Sequence, residues 1–590
     1  MKQEISSILT TILSNLGIKG PSVKLDYPES SEHGDFSTNA AMVYAKGLGL
    51  SPKALADKII NELNNSIREP LNNSIASVSI AGPGFINFKL DDKVFAKEIL
   101  EIASAVERNQ KKDAKNSEEV LIEYTDPNTF KAFHIGHIMS NTIGESISRL
   151  IEFSGAKVVR ICYPSDIGLH IAKSIWAMEQ HLGEIPSEAA PIEERTAFLG
   201  KMYVEGTKTY DADPTVKNEI DELNQAVYDK SDESVNALYE KGRQWSLDHF
   251  ELLYELLGTK FDEQIFESDM APVGLKIVKE HIKGTNENDS GVFEKSDGAV
   301  VFKGEEFGLH TRVFINSRGL PTYETKDVGL NVTKFERHPD AAQSIIVTAS
   351  EQDDYFKVLI KVISLIDERN GGKTTHIGHG MLRFASGKMS SRTGNVVTAD
   401  ALIGDMKGLV MEKIALRGFA PDEADEISNL IAIGAIKYTI LRQAIGGNVV
   451  FDSATSISFE GDSGPYLQYS AVRAASILEK AGGIIKQLNN LTKEQSDDLT
   501  QGKDVKVGVL EKLICRFADI ADRARAEYAP QIVANYLIAL AGAFNAFYAN
   551  QTIIDEKDPL SAYRVILTRA FLKTMTQGLW LLGIKVPKRM

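Results

Sequence analysis

Two histidines three residues apart, His134 and His137, bracket Gly136 in the run Pro127-Asn128-Thr129-Phe130-Lys131-Ala132-Phe133-His134-Ile135-Gly136-His137. The apolar Val120-Leu121-Ile122 before this run reads as a strand, and the spacing of Ile143, Ile147, Leu150 and Ile151 after it reads as one helix face. Backbone amides at such a helix start attract phosphate, and a glycine lets a ligand approach the chain closely. Two imidazoles around that glycine can then donate to a phosphate under attack, so a nucleotide site is the first expectation. The same tetrapeptide recurs at His376 to His379 without a helical pattern after it, and that copy reads as structural.

Downstream lies Gly387-Lys388-Met389-Ser390-Ser391-Arg392-Thr393-Gly394-Asn395, a small, basic, flexible loop. Such a loop suits a cation that closes over a leaving pyrophosphate only as its charge develops.

The elements that must position these residues follow from pattern. A chain of 590 residues is too long for one core, so about three or four domains are expected. Composition is that of an ordinary soluble globular protein. The start, MKQEISSILTTILSNLGIKG, reads as an amphipathic helix and not as a secretory signal, and no apolar run is read as approaching the roughly 20 residues that span a bilayer. The expected location is therefore the cytoplasm. Two distant cysteines, Cys162 and Cys515, exclude a disulfide framework and a cysteine-rich structural zinc site. The net charge of −15 disfavours a nucleic-acid partner, yet residues 431–590 carry +4 and the remainder −19, which leaves an RNA-binding C-terminal domain permitted.

The lysine-rich run 109–119 reads as a linker after a first unit of residues 1–112. From Val120, strand, helix and the strand Ala156 to Ile161 make half of a doubly wound, Rossmann-type sheet in a domain of residues 113–400. A charged helical insertion at about 171–290 separates it from strands at Val300-Val301-Phe302, Arg312 to Ile315 and Ser344 to Val347, taken as the other half of one sheet. From Ala401 strands disappear, giving a connector of residues 401–430 and an all-helical domain of residues 431–590.

The His-x-Gly-His helix start paired with a Lys-Met-Ser-Ser loop about 250 residues later resembles class I aminoacyl-tRNA synthetases. The finer resemblance, over nearly the whole chain, is to the arginyl-tRNA synthetase family. It rests on Glu123-Tyr124-Thr125-Asp126-Pro127-Asn128, Tyr163-Pro164-Ser165-Asp166-Ile167-Gly168, Pro321 to Asp327, Phe459 to Tyr469 and the end from Leu582 to Met590, with His33-Gly34-Asp35 and Gly84 to Asn87 in the first unit.

That resemblance implies ATP as substrate with Mg2+, arginine and its tRNA as partners, and a monomer. His134, Gly136, His137, Lys131 and Lys388 would be catalytic, and Met381, Met389 and Ser390 would join them around ATP. The strand carrying His376 and His379 would border the adenine. Asn128 and Gln352 would hold the amino-acid backbone. Glu123 and Asp327 would face the guanidinium with Tyr323, which is four residues before Asp327 and so on the same helix face. Phe85 and Asn87 would read a base in the tRNA D-loop, with core packing the alternative for a strand aromatic, and Tyr466, Tyr469, Arg473 and Tyr548 would take anticodon bases, with helix-core packing the alternative for each; Met590 would also meet the tRNA. The chain departs from the family at Ser391, where a second loop lysine is expected, and Lys131 would substitute for it. Ser165 and His170 stand where the pattern has Gly and Gln, so His170 takes no role from the resemblance. The competing readings are a synthetase for another amino acid and a tRNA-binding relative without catalysis.

Overall fold

The computed structural model describes all residues except 29, 67–73, 105–117, 285–290, 386–396, 485–504 and 556. The chain forms two compact units, and neither is one continuous stretch: the first combines residues 1–106, 477–516 and 546–573, the second residues 107–476, 517–545 and 574–590.

In the first unit, strands β1 (Phe36–Thr38), β2 (Ile75–Ala81) and β3 (Phe85–Leu90) make an antiparallel sheet in the order β1-β3-β2. Helices Lys2–Asn15 and Pro52–Ser66 supply its core, because Ile5, Leu9, Ile12 and Leu13 on one and Leu55, Ile59 and Leu63 on the other recur at helical spacing. They pack with Ile86 and Phe88 of β3. The loop at Gly34 needs glycine: its φ is +85°, and a Cβ would lie 2.5 Å from the Phe88 carbonyl oxygen. The next residue, Asp35, is buried, accepts from the Leu90 amide and pairs with Lys512 at 2.8 Å.

The second unit is built on a parallel sheet of β4 (Glu119–Tyr124), β5 (Lys157–Cys162), β6 (Glu263–Gln264), β10 (Ala341–Ala349) and β11 (Thr374–His379), in the order β11-β10-β4-β5-β6. Strands covered on both faces read as continuous apolar runs, as Val120-Leu121-Ile122 does. Helices Ile135–Phe153 and Asp353–Ile366 make the crossovers after β4 and β10. Between β5 and β6 stand the helices Leu169–Gln180, Ile192–Ala212, Pro214–Asp229 and Glu233–Leu257.

Three expectations need correction. The strands near 300 and 312 do not rejoin the parallel sheet: β7 (Glu294–Ser296), β8 (Ala299–Phe302) and β9 (Arg312–Ile315) form a separate antiparallel sheet, and β6, β10 and β11 complete the main one. A two-residue turn at Asp297-Gly298 folds β7 onto β8, and a longer loop with a helical turn at Gly304–Phe307 brings β9 back beside β8, pairings that periodicity cannot foresee. Nor do strands vanish after Ala401, since β13 (Val449–Phe451) pairs in parallel with β12 (Leu382–Phe384). Finally, helix Pro530–Asn550 is long and apolar enough to cross a membrane by length and composition. The helix buries Val533, Leu537, Leu540 and Phe544 on one face.

A buried lysine ties the second unit together. Lys437, on helix Pro421–Leu441, donates to the carbonyl oxygens of Leu257 (2.6 Å) and Gly583 (2.9 Å). Desolvation, then repulsion from Arg149, push its pKa down from 10.5 to about 7 against the pull of Glu145. Between these two values the unfolded chain binds a proton that the folded chain resists, so this group makes stability rise with pH across that window. The denaturation midpoint of the native protein, measured relative to Lys437→Met, is expected to climb between about pH 7 and 10. A difference that stays flat with pH would refute the assignment.

Candidate active site

The passage from β4 into helix Ile135–Phe153 is strained. Three residues with side chains, Thr125, Asp126 and Phe130, have φ of 86°, 42° and 62°. Each is held from outside the turn. The Thr125 amide donates to Ser140 Oγ at 3.0 Å, and Asn141 donates to Thr125 Oγ1. Asp126 accepts from the Tyr163 amide at 2.8 Å, and the Phe130 amide donates to Ser246 Oγ at 2.9 Å. Asn128 forms a parallel bridge with Ser165 beyond β5, so the exits of the two neighbouring strands run side by side.

His134 is the N-cap of the helix, and its Nδ1 accepts from the Gly136 amide at 3.1 Å. His137 Nδ1 accepts from the His134 amide at 3.1 Å, so the two histidines form the reciprocal capping pattern, with a spacing of three, more often made by Ser and Glu. With both Nδ1 atoms accepting, each neutral ring carries its proton on Nε2. The rings stack with centroids 3.8 Å apart. Burial, followed by the Lys131 charge, lowers the pKa of His134; burial, His134 and Lys131 lower that of His137 further. The helix start therefore presents two neutral imidazoles, each with an Nε2–H to donate. Lys131 itself stands 4.8 Å over the Tyr203 ring.

Four carboxylates gather on and beside the exit of β4: Asp126 of the strained turn, whose carboxyl burial and then the Glu123 charge push well above the ordinary range, and Glu123, Glu267 and Asp327. Glu123, 5% exposed, accepts from Lys334 Nζ at 2.7 Å, and Lys334 is itself 1% exposed. Glu267 pairs with Lys326, which also lies 4.3 Å over the Tyr323 ring. Asp327 accepts a hydrogen bond from the Tyr355 hydroxyl at 2.5 Å, and among the described residues no cation pairs with it. Burial pushes its carboxyl well above the ordinary range against the Tyr355 hydrogen bond, and the Glu123 charge adds to the rise. Tyr323 and Asp327 both lie on the first turns of helix Tyr323–Arg337, and Gln352 closes the short turn after β10, next to β4 in the sheet.

The other expected residues are spread more widely. Met381 is exposed just before β12, whereas Lys388, Met389 and Ser390 lie outside the described residues. His376 and His379 are on β11 and so carry no helix start, as read from sequence. Arg473 donates to Tyr469 Oη (2.8 Å) and to Asn545 Oδ1 (3.1 Å), and Asn545 donates to Tyr466 Oη (2.9 Å). Tyr466 and Tyr469 are half-buried, as is Met590. In the first unit Phe85 and Tyr548 are exposed, and Asn87 is buried. Sequence reading missed Lys334, Tyr355 and Asp126. Lys334 had a signal, since it lies seven residues after Asp327, two turns along the same helix face.

A parallel sheet whose first strand hands over to a histidine-capped helix defines the catalytic domain of a class I tRNA synthetase. The family model described as tRNA synthetases class I (R), catalytic domain, matches residues 100–453. An arginyl tRNA synthetase N terminal domain matches residues 1–90 and a DALR anticodon binding domain residues 467–590. The chain belongs to the arginyl-tRNA synthetase family. It is 30% identical to the arginine–tRNA ligase of Borrelia hermsii, over 100% of this chain and 99% of that one. It is also 30% identical to that of Bacteroides thetaiotaomicron, over 86% of each. The Thermus thermophilus arginyl-tRNA synthetase structure matches all of this chain and all of its own, with TM-score 0.77 and 21% identity. The Plasmodium falciparum structure gives 0.78 and 21%, covering 100% of this chain and 99% of that one.

The Glu123–Lys334 pair yields a stability test. Removing one partner of a buried pair leaves a charge uncompensated, at a cost of about 3–5 kcal/mol. Lys334→Met is expected to destabilise the protein on that scale in denaturant titrations. The double variant Glu123→Gln/Lys334→Met should recover most of the loss. Equal loss in both would show that packing, and not charge, is what Lys334 supplies.

Proposed function

We propose that the site activates arginine with ATP to arginyl-adenylate and passes the arginyl group to the 2′-hydroxyl of the terminal adenosine of its tRNA. The observation that carries the amino-acid assignment is Asp327: Glu123 and Glu267 hold lysines and Asp126 is taken up by the Tyr163 amide, whereas Asp327, on the helix face of Tyr323, pairs with no cation among the described residues. A guanidinium stays charged at physiological pH and offers five N–H donors in a planar fork. It would take the Asp327 carboxylate, with Tyr323 and the remaining capacity of Glu123 around it. Asn128 and Gln352 would hold the ammonium and carboxylate end near the histidines.

The reaction needs no covalent nucleophile. The substrate carboxylate attacks the α-phosphorus of ATP in line, and two positioned Nε2–H donors stabilise the charge that develops there. Because His134 and His137 are neutral, they donate without a proton having to be gained or lost. Lys131, and Lys388 with Met389 and Ser390 of the loop, would face the leaving pyrophosphate, with Met381 beside the adenine. Mg2+ would arrive on the nucleotide phosphates, where it neutralises charge; such binding needs no protein cage, and none of three or more metal-ligating side chains occurs among the described residues.

For the RNA partner, Tyr466 and Tyr469, whose hydroxyls accept from Asn545 and Arg473, would offer their rings to splayed bases, and Met590 of the same unit would meet the RNA; in the first unit exposed Tyr548 and Phe85 would contact it, with buried Asn87 shaping the strand that carries Phe85. We retain the sequence division at 112, 400 and 430, a monomeric state and a cytoplasmic location as part of this reading.

ATP–pyrophosphate exchange should proceed with arginine and not with the other amino acids, tested with and without tRNA. Absence of exchange with arginine under both conditions would end the reading. Asp327→Ala should weaken arginine binding about 10- to 100-fold, the loss of a charge-assisted hydrogen bond. Since arginine favours the ionised carboxylate and burial favours the protonated one, arginine affinity should rise with pH until Asp327 is fully ionised, and Asp327→Asn should flatten that dependence. Calorimetry in buffers of different ionisation enthalpy would register the released proton.

A further inference from the structure

The amides that open helix Ile135–Phe153 are all engaged inside the protein. Ile135 donates to the Val397 carbonyl (3.2 Å), Gly136 to His134 Nδ1 (3.1 Å) and His137 to the His134 carbonyl (2.9 Å). A phosphate at this helix start therefore meets the two imidazole Nε2–H groups and not the first backbone amides. Where those groups point follows from how the backbone of residues 133–135 is held.

It is held by a segment far along the chain. Val397 to Ala399 lies antiparallel to it: besides the bond from Ile135, the Ala399 amide donates to the Phe133 carbonyl (2.8 Å), and His134 and Thr398 are bridge partners. Thr398 caps helix Ala399–Ile414 by accepting from the Ala401 amide, and the second residue of that helix, Asp400, accepts from His249 Nε2 at 3.0 Å. His249 belongs to the inserted helix Glu233–Leu257 and is 6% exposed, whereas the Asp400 side chain is 46% exposed. The neighbour of His249, Phe250, packs on Phe133 with ring centroids 5.8 Å apart, and the Phe133 ring in turn lies 4.9 Å from that of His137. The inserted helix thus reaches the histidine turn by two routes, through Phe250 directly and through His249 by way of Asp400.

We propose that His249 and Asp400 are positioning residues for adenylate formation: their hydrogen bond fixes the start of helix Ala399–Ile414, and with it the segment Val397 to Ala399 that aims the His134 and His137 donors. This rests on the reading of those histidines as donors to the α-phosphate. Neither His249 nor Asp400 has to touch the substrate. A partly exposed contact between histidine and carboxylate adds little to stability. Displacing a donor by about 1 Å from the reacting atoms, in contrast, can slow a reaction about a hundredfold. The pair therefore matters more for rate than for folding.

The test is arginine-dependent ATP–pyrophosphate exchange in the presence of tRNA, comparing the native chain with His249→Ala, Asp400→Ala, the double variant, His249→Gln and Asp400→Asn. Each alanine variant is expected to lower kcat about 10- to 100-fold, with the KM values for arginine and ATP within about twofold. The double variant should be no slower than the slower single one, because the two residues act through one bond. His249→Gln, whose amide nitrogen can still donate, and Asp400→Asn, whose Oδ1 can still accept, should recover most of the rate. A kcat unchanged in both alanine variants, with only the melting temperature lowered, would reduce the pair to a structural contact and overturn the proposal. So would losses that multiply in the double variant, or a loss confined to KM. If His249→Ala fails to fold, Asp400→Ala, which alters a half-exposed side chain, decides alone. A native protein inactive with arginine would instead refute the functional reading, so the two failures are told apart.

Discussion

The turn between β4 and its helix is forced through left-handed backbone at Thr125, Asp126 and Phe130, and the rest of the site depends on that turn being held. Each such residue costs of order 1–3 kcal/mol, and none is glycine, so relaxation is always within reach. What prevents it comes from distant sequence: Ser140 and Asn141 of the following helix, Tyr163 after β5 and Ser246 in the inserted helices. The insertion thereby acquires a purpose. Its helix Glu233–Leu257 presents Gly242 to the Phe130 ring so closely that an added Cβ would sit 2.2 Å from it. The inserted helices brace the turn that aims Asn128 and the two histidines.

Charge in the same region is arranged by pairing. Glu123 and Glu267 would be costly to bury alone, and Lys334 and Lys326 lower that cost. Asp327 has only a tyrosine hydroxyl, which hydrogen-bonds a carboxylate without neutralising it. A substrate cation therefore finds its charge needed at Asp327, whereas at Glu123 and Glu267 it would have to displace a tethered lysine. Selectivity in such a site arises as much from occupied positions as from vacant ones.

How much of this could be read in the sequence depended on how local the physics was. The His134–His137 spacing, the apolar run of β4 and the periodicity of the helix after it are local patterns, and each appeared where expected. Tyr323 and Asp327 shared a helix face because the helical period alone dictates it. The separate sheet of β7, β8 and β9 was not legible, since strand partners are chosen by turns and packing and not by the composition of a strand. For Lys334 the helical period gave its face, shared with Asp327, but not its partner: nothing near it in the chain announces that Glu123, 211 residues earlier, will be buried against it. The two histidines were read as phosphate donors, but their structural task as reciprocal caps, which fixes their tautomers, appeared only with the backbone in view.

The fastening around Lys437 bears on how the chain is made. Leu257 and Gly583 meet through the one amino group of Lys437, Ser146 donates to the Leu581 carbonyl, and Arg149 donates to the carbonyl of Trp580. Helix Ile135–Phe153, which carries the motif histidines, is thus completed by residues translated hundreds of codons later. Domains made of one continuous stretch can fold as they leave the ribosome, N-terminal part first. Here neither unit is continuous, and both wait for segments near the far end of the chain. The last strand of the parallel sheet ends at His379 and the residues that fasten the β4 helix follow only from Trp580 onward, so the apolar strands of a nascent chain stay incompletely covered through much of its synthesis.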